Sequence, residues 1–96
     1  MRSRELQDGA CTMLITDPQH RPLAGVTSTM SGPVERTELS DSAGKCNFYP
    51  LPPATYSGHW ALEGYSTLDQ PGIVIEVGRT TSLEIILSPA ILDTNQ

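Results

Sequence analysis

The stretch KCNFYPLPPATYSGHWAL (45–62) decides the fold. Its first part alternates, with Cys46 and Phe48 on one side and Lys45, Asn47 and Tyr49 on the other. That two-residue period belongs to a strand with one buried face. Pro50, Pro52 and Pro53 then stop it, because proline has no N–H to give to a ladder. The last part alternates again: Tyr56 and Trp60 share one side, and Thr55, Ser57 and His59 share the other. Two strands, about Lys45–Tyr49 and Thr55–Leu62, with a stiff proline crossing between them, follow from these eighteen residues.

The same pattern extends in both directions. Upstream, Cys11, Met13 and Ile15 alternate with Thr12, Leu14 and Thr16, and Asp17-Pro18-Gln19-His20-Arg21-Pro22 turns the chain. Strands are expected from Gly25 to Ser31, stopped by Gly32-Pro33, and from Glu35 to Ser40, stopped by Asp41-Ser42-Ala43-Gly44. Downstream, Glu63-Gly64-Tyr65 and an irregular stretch to Gly72 precede strands at Ile73–Val77 and Thr80–Leu87. Val34 to Ala43, a ten-residue stretch free of Gly and Pro, has no apolar stripe, so a helix gains nothing there. The expectation is all-β: a seven-stranded, two-sheet sandwich over 11–89, with tails at 1–10 and 90–96. Parity places Met13, Ile15, Val26, Phe48, Tyr56, Trp60, Ile73, Ile75, Val77, Leu83, Ile85 and Leu87 in the core, with Cys11 and Cys46 also inward.

At 96 residues there is room for one domain. Hydrophobic residues at 38% and charged residues at 18% argue against disorder. A net charge of -5 with 6 Lys plus Arg gives phosphate backbones no footprint, which argues against nucleic-acid binding. No run has the length to span a bilayer, and MRSRELQDGACTML lacks the apolar core of a secretory signal. The expectation is a protein cytoplasmic at synthesis, exported if at all as part of an assembly, or else a piece of a longer extracellular chain. Oligomeric state is left open.

Taken in order, ITDPQHRPLAGV (15–26), SDSAGKCNF (40–48), LPPATY (51–56), Gly64-Tyr65 and IVIEVGRTTSLEIILSP (73–89) resemble carboxypeptidase regulatory-like domains, the transthyretin-like or prealbumin-like β-sandwiches. Each piece is weak alone, and five in order with compatible spacing are specific. The resemblance implies that Leu23 plugs the core, that Gly25 permits close approach, and that Gly44 takes positive φ in a tight turn. His20, Cys46, Ala54 and Gly58 depart from the pattern. His20 stands at a usual turn glycine, and Gly58 stands where a large apolar residue is expected, with Trp60 placed to fill the gap.

The candidates for chemistry are few. Cys11 and Cys46 are either two buried thiols or one disulfide. The resemblance adds that the first strand borders the fourth, which brings them near each other. His20 and His59 have no metal-ligand spacing, Ser57 lies in no nucleophile elbow, and the acids are scattered, so no catalytic, cofactor or metal residue is expected. The hydrolase relatives of the fold, 5-hydroxyisourate hydrolases, end in Tyr-Arg-Gly-Ser, whereas this chain ends ILDTNQ. Lys45, the one lysine, has no acid and amide set placed with it for an isopeptide crosslink. The reading is a non-enzymatic module that binds another protein by strand addition or loop contact. Fold analogy suggests an adaptor or scaffold part of a bacterial assembly, a contractile-injection spike or phage-like setting foremost. A carbohydrate-binding accessory module is the alternative: Trp60 and Tyr65 would be its aromatic platform, but parity turns Trp60 inward, and one or two exposed tyrosines, Tyr49 and Tyr65, are ordinary.

Overall fold

A computed structural model describes residues 8–90. These form seven strands in two sheets, and the described residues contain no helix. In chain order they are β1 Gly9–Thr16, β2 Thr27–Ser31, β3 Glu35–Leu39, β4 Lys45–Leu51, β5 Ala54–Ala61, β6 Leu68–Ile75 and β7 Thr80–Ile86. One sheet has the order β4-β1-β7 and the other β3-β2-β5-β6. All neighbours are antiparallel except β1 and β7, which run parallel from Ala10↔Thr80 to Thr16↔Ile86.

Alternation builds the core. The three-stranded sheet contributes Cys11, Met13, Ile15, Cys46, Phe48, Leu51 and Ile85, and the four-stranded sheet contributes Met30, Tyr56, Trp60, Ile73 and Ile75, all buried. Val26, Leu23 and Leu87 close the ends. The Trp60 indole crosses the sandwich and donates its N–H to Met13 Sδ at 3.2 Å, so the largest core side chain also meets its polar need. Tyr56 does the same by donating its hydroxyl to the Pro52 carbonyl at 2.7 Å.

Several expectations need correction. Val77 is not core: β6 ends at Ile75, and Val77 lies 53% exposed in the turn that carries the chain to β7. The sixth strand begins at Leu68 and runs through Pro71 and Gly72, and the fourth runs through Pro50 to Leu51. Both are edge strands with one unpaired side, where a proline need not interrupt a ladder. Gly25 meets no close neighbour; what it supplies is a φ of +76°. Leu83 is only half-buried, while Met30 and Leu51 join the core unannounced. Strand β1 starts two residues before the expected boundary at residue 11, and most of the expected tails, 1–7 and 91–96, lies outside the described residues.

Two acidic turns hold the loops at one end. Asp17 is buried and accepts from the Gln19 and Arg21 amides and from Arg21 Nε. These bonds, the Arg21 amide foremost, hold its carboxyl below its ordinary value although burial opposes the shift. Asp41 accepts from the Ala43 and Lys45 amides, and buried Ser40 ties the Leu23 carbonyl to the Val26 amide.

Candidate functional site

Residues that point away from the core define two outer faces. On the three-stranded sheet the register sets three rows: Lys45–Leu14–Glu84, then Asn47–Thr12–Ser82, then Ala10 beside Thr80. Thr12 and Ser82 hydroxyls lie 3.4 Å apart. The first two rows line a shallow hollow of about 660 Å³. Its floor is half-buried Leu14, with a cation and an anion at opposite ends of one row. A second hollow of about 390 Å³ continues along this face between Tyr49, Arg79 and Thr80. Tyr49 is 60% exposed on β4. The face offers an apolar patch, an aromatic ring, an amide, hydroxyls and both charges.

On the four-stranded sheet one row runs Thr37–Thr29–His59–Asp69. The Thr29 and Thr37 hydroxyls are 3.2 Å apart, and His59 Nδ1 lies 2.5 Å from Asp69 Oδ1. The pairing of His59 with Asp69 escaped the sequence reading because Asp69 falls in the stretch taken as irregular, and only the β5–β6 register brings the two together. Both are exposed on an open sheet, and no wall keeps water from them. His20 and Ser57 are exposed as expected and are not brought together.

Cys11 and Cys46 are free thiols, buried on the inner face of neighbouring strands β1 and β4. Cys11 stands opposite Phe48 and Cys46 opposite Met13, so the two are diagonal neighbours. Burial pushes the Cys11 thiol up to about 11, and the nearby Cys46 adds to the rise. Burial raises Cys46 as well; the Ser28 hydroxyl facing it from β2 offsets part of this, and Glu38 and Asp41 add to it. Ser28 Oγ is buried without a regular hydrogen-bond partner. Both thiols are therefore protonated and inert at neutral pH. Among the described residues no cluster of three or more His, Cys, Asp or Glu could hold a metal ion, and no helix is long and apolar enough to cross a membrane.

No family model matches the chain, and no curated protein sequence resembles it closely enough to count. Solved structures do. The chain is similar to the TIE protein of Bacillus anthracis, with TM-score 0.74 and 19% identity over 88% of this chain and 17% of that one. It is similar to GBS52, the minor pilin of Streptococcus agalactiae, with TM-score 0.70 and 17% identity over 95% of this chain and 48% of that one. It is also similar to 3-chlorocatechol 1,2-dioxygenase of Rhodococcus opacus 1CP, with TM-score 0.66 and 15% identity over 94% of this chain and 63% of that one. The chain spans less than two thirds of each of these. A pilin and an oxygenase sharing one architecture carry no common chemistry to this chain. What the likeness establishes is the β-sandwich.

Proposed function

We propose that this chain is a non-enzymatic binding and structural module of the carboxypeptidase regulatory-like, transthyretin-like type, and that it works through the outer face of β4-β1-β7. The observation that carries this reading is the hollow over Leu14, with Lys45 and Glu84 at its ends and Asn47, Thr12 and Ser82 beside them. A small apolar floor inside a polar rim is the make-up of a protein contact, and opposite charges two strands apart fix a partner's orientation. The sandwich from about 11 to 89 is the working unit. Its setting is an adaptor or scaffold part of a larger bacterial assembly, a contractile-injection spike or phage-like particle foremost. The partner is another protein; a chain of net charge -5 does not suit the phosphates of nucleic acid.

A second reading has one observation in its favour. Tyr49, 60% exposed, stands two residues from Asn47 on the same face of β4, which suits stacking on a sugar ring with an amide at its hydroxyls. Capture from the native host separates the two. The wild type should retain a protein that Asn47→Arg loses, with both baits equally folded. Equal retention by the two would reject this face. Glycan-array binding abolished by Tyr49→Ala, with no protein retained, would put the carbohydrate reading first.

A further inference from the structure

The four sheet edges are not equally guarded. Strand β3 is five residues long and carries Glu35, Arg36 and Glu38. Strand β4 contains Pro50, and β6 contains Pro71 and Gly72 with a register shift against β5. Charge, proline and irregularity are the devices that keep an edge from pairing. Strand β7, Thr-Thr-Ser-Leu-Glu-Ile-Ile over 80–86, has no proline, glycine, lysine or arginine, and it keeps register with β1 along its whole length.

Its open side can be worked out residue by residue. The Ala10 amide donates to the Arg79 carbonyl, and the Leu87 amide donates to the Thr16 carbonyl. Odd-numbered residues of β7 therefore turn their N–H and C=O toward β1, and Thr80, Ser82, Glu84 and Ile86 turn theirs outward. Among the described residues no strand pairs with that side. Thr81 does reach β6, but through its hydroxyl to the Val74 carbonyl, which leaves the outward main chain free.

We propose that this edge pairs antiparallel with β7 of a second copy, about a two-fold axis at Leu83. That register overlaps the whole strand. It places Leu83 opposite Leu83 as a pair without mutual hydrogen bonds, as its inward-turned amide requires. Ser82 then exchanges N–H···O bonds with Glu84 of the second copy, and Thr80 with Ile86. The half-buried Leu83 is covered by its mate, and exposed Ile86 gains Thr80 as a cross-strand neighbour. No like charges stand opposite; centring the axis on Glu84 instead would oppose two carboxylates, which is unfavourable. The result is a continuous sheet β4-β1-β7-β7-β1-β4 that sets two copies of the Leu14 hollow side by side. The pairing does not depend on what occupies that hollow.

Sedimentation equilibrium on the full chain tests it, with melting curves to show that each variant is folded. The wild type should be a reversible dimer. Ser82→Lys places a lysine opposite Glu84 twice and should tighten the dimer roughly two- to thirtyfold. Ser82→Glu opposes two pairs of carboxylates and should shift it to monomer, and Ser82→Pro removes an outward N–H and should do the same. A monomeric wild type, or equal association by the lysine and glutamate variants, would overturn the proposal. Loss of a captured protein in Asn47→Arg without any change in sedimentation separates the two surfaces.

Discussion

His20 holds a φ of 67° in the 17–22 turn, a left-handed conformation that costs a side-chain-bearing residue about 1–2 kcal/mol. Its amide donates to the Asp17 carbonyl, and its side chain is exposed, so little is lost with the imidazole. His20→Gly is expected to stabilise the protein by about 0.5–1 kcal/mol in urea melts, the strain relieved outweighing the added freedom of the unfolded chain. A loss of stability would mean that the ring contributes something its exposure hides. The opposite case is Gly58. A Cβ there would run into the Trp60 ring, which fills the space under this buried glycine. Gly58→Ala should therefore destabilise by about 1–3 kcal/mol through overpacking. Trp60→Ala, which empties the space and orphans Met13 Sδ, should cost about 3–5 kcal/mol. Thermal or urea melts of the two variants separate the effects, and a Trp60→Ala protein melting like the wild type would contradict its position in the core.

Elements were legible where side chains alternate cleanly and hidden where the chain runs along an edge. In β1 and β5 each inward position is apolar or filled by a neighbour, so parity alone finds the core. In β6 the sequence offers Asp69, Gln70, Pro71 and Gly72, which read as a loop, because an edge strand with a solvated side needs neither alternation nor a full set of donors. That missed half-strand concealed the His59–Asp69 pair. The outer face of β4-β1-β7 was legible only as a set of polar outward positions; which of them share a row depends on the parallel β1–β7 register, and no local pattern carries that. The same register logic bears on the cysteines. Diagonal neighbours across antiparallel strands sit about 7–8 Å apart at Cα, and a disulfide beyond about 7 Å requires backbone movement. Cys11 and Cys46 should therefore react with a thiol reagent only when the protein is unfolded, and should stay reduced under mild oxidant in the native state. Prompt labelling of either thiol in native buffer would refute its burial, and rapid oxidation would show that β1 and β4 move relative to each other.

At the scale of the whole molecule these groups set the pH range of the fold. Asp17 is held below its ordinary 3.8, so its contribution is present above that value and is lost as pH falls toward the folded pKa. The thiols act in the reverse sense. Cys11 is raised from 9.0 to about 11 and Cys46 is raised too, so burying them protonated stabilises the fold fully below pH 9, and that contribution fades as pH climbs toward 11. Tyr56, raised from 10.0 chiefly by burial, steepens the loss further up. Urea-unfolding free energies across pH should show a plateau from about 4 to 9 with a fall on either side. Asp17→Asn, which keeps an acceptor oxygen but no charge, should lower the plateau and flatten the acid fall. Cys11→Ala with Cys46→Ala should move the onset of the alkaline fall from about pH 9 to above pH 10, where the raised Tyr56 hydroxyl begins to ionise. An alkaline fall unchanged in the double variant would mean that the thiols are not what limits the fold at high pH, and that water reaches the space between the sheets before they ionise.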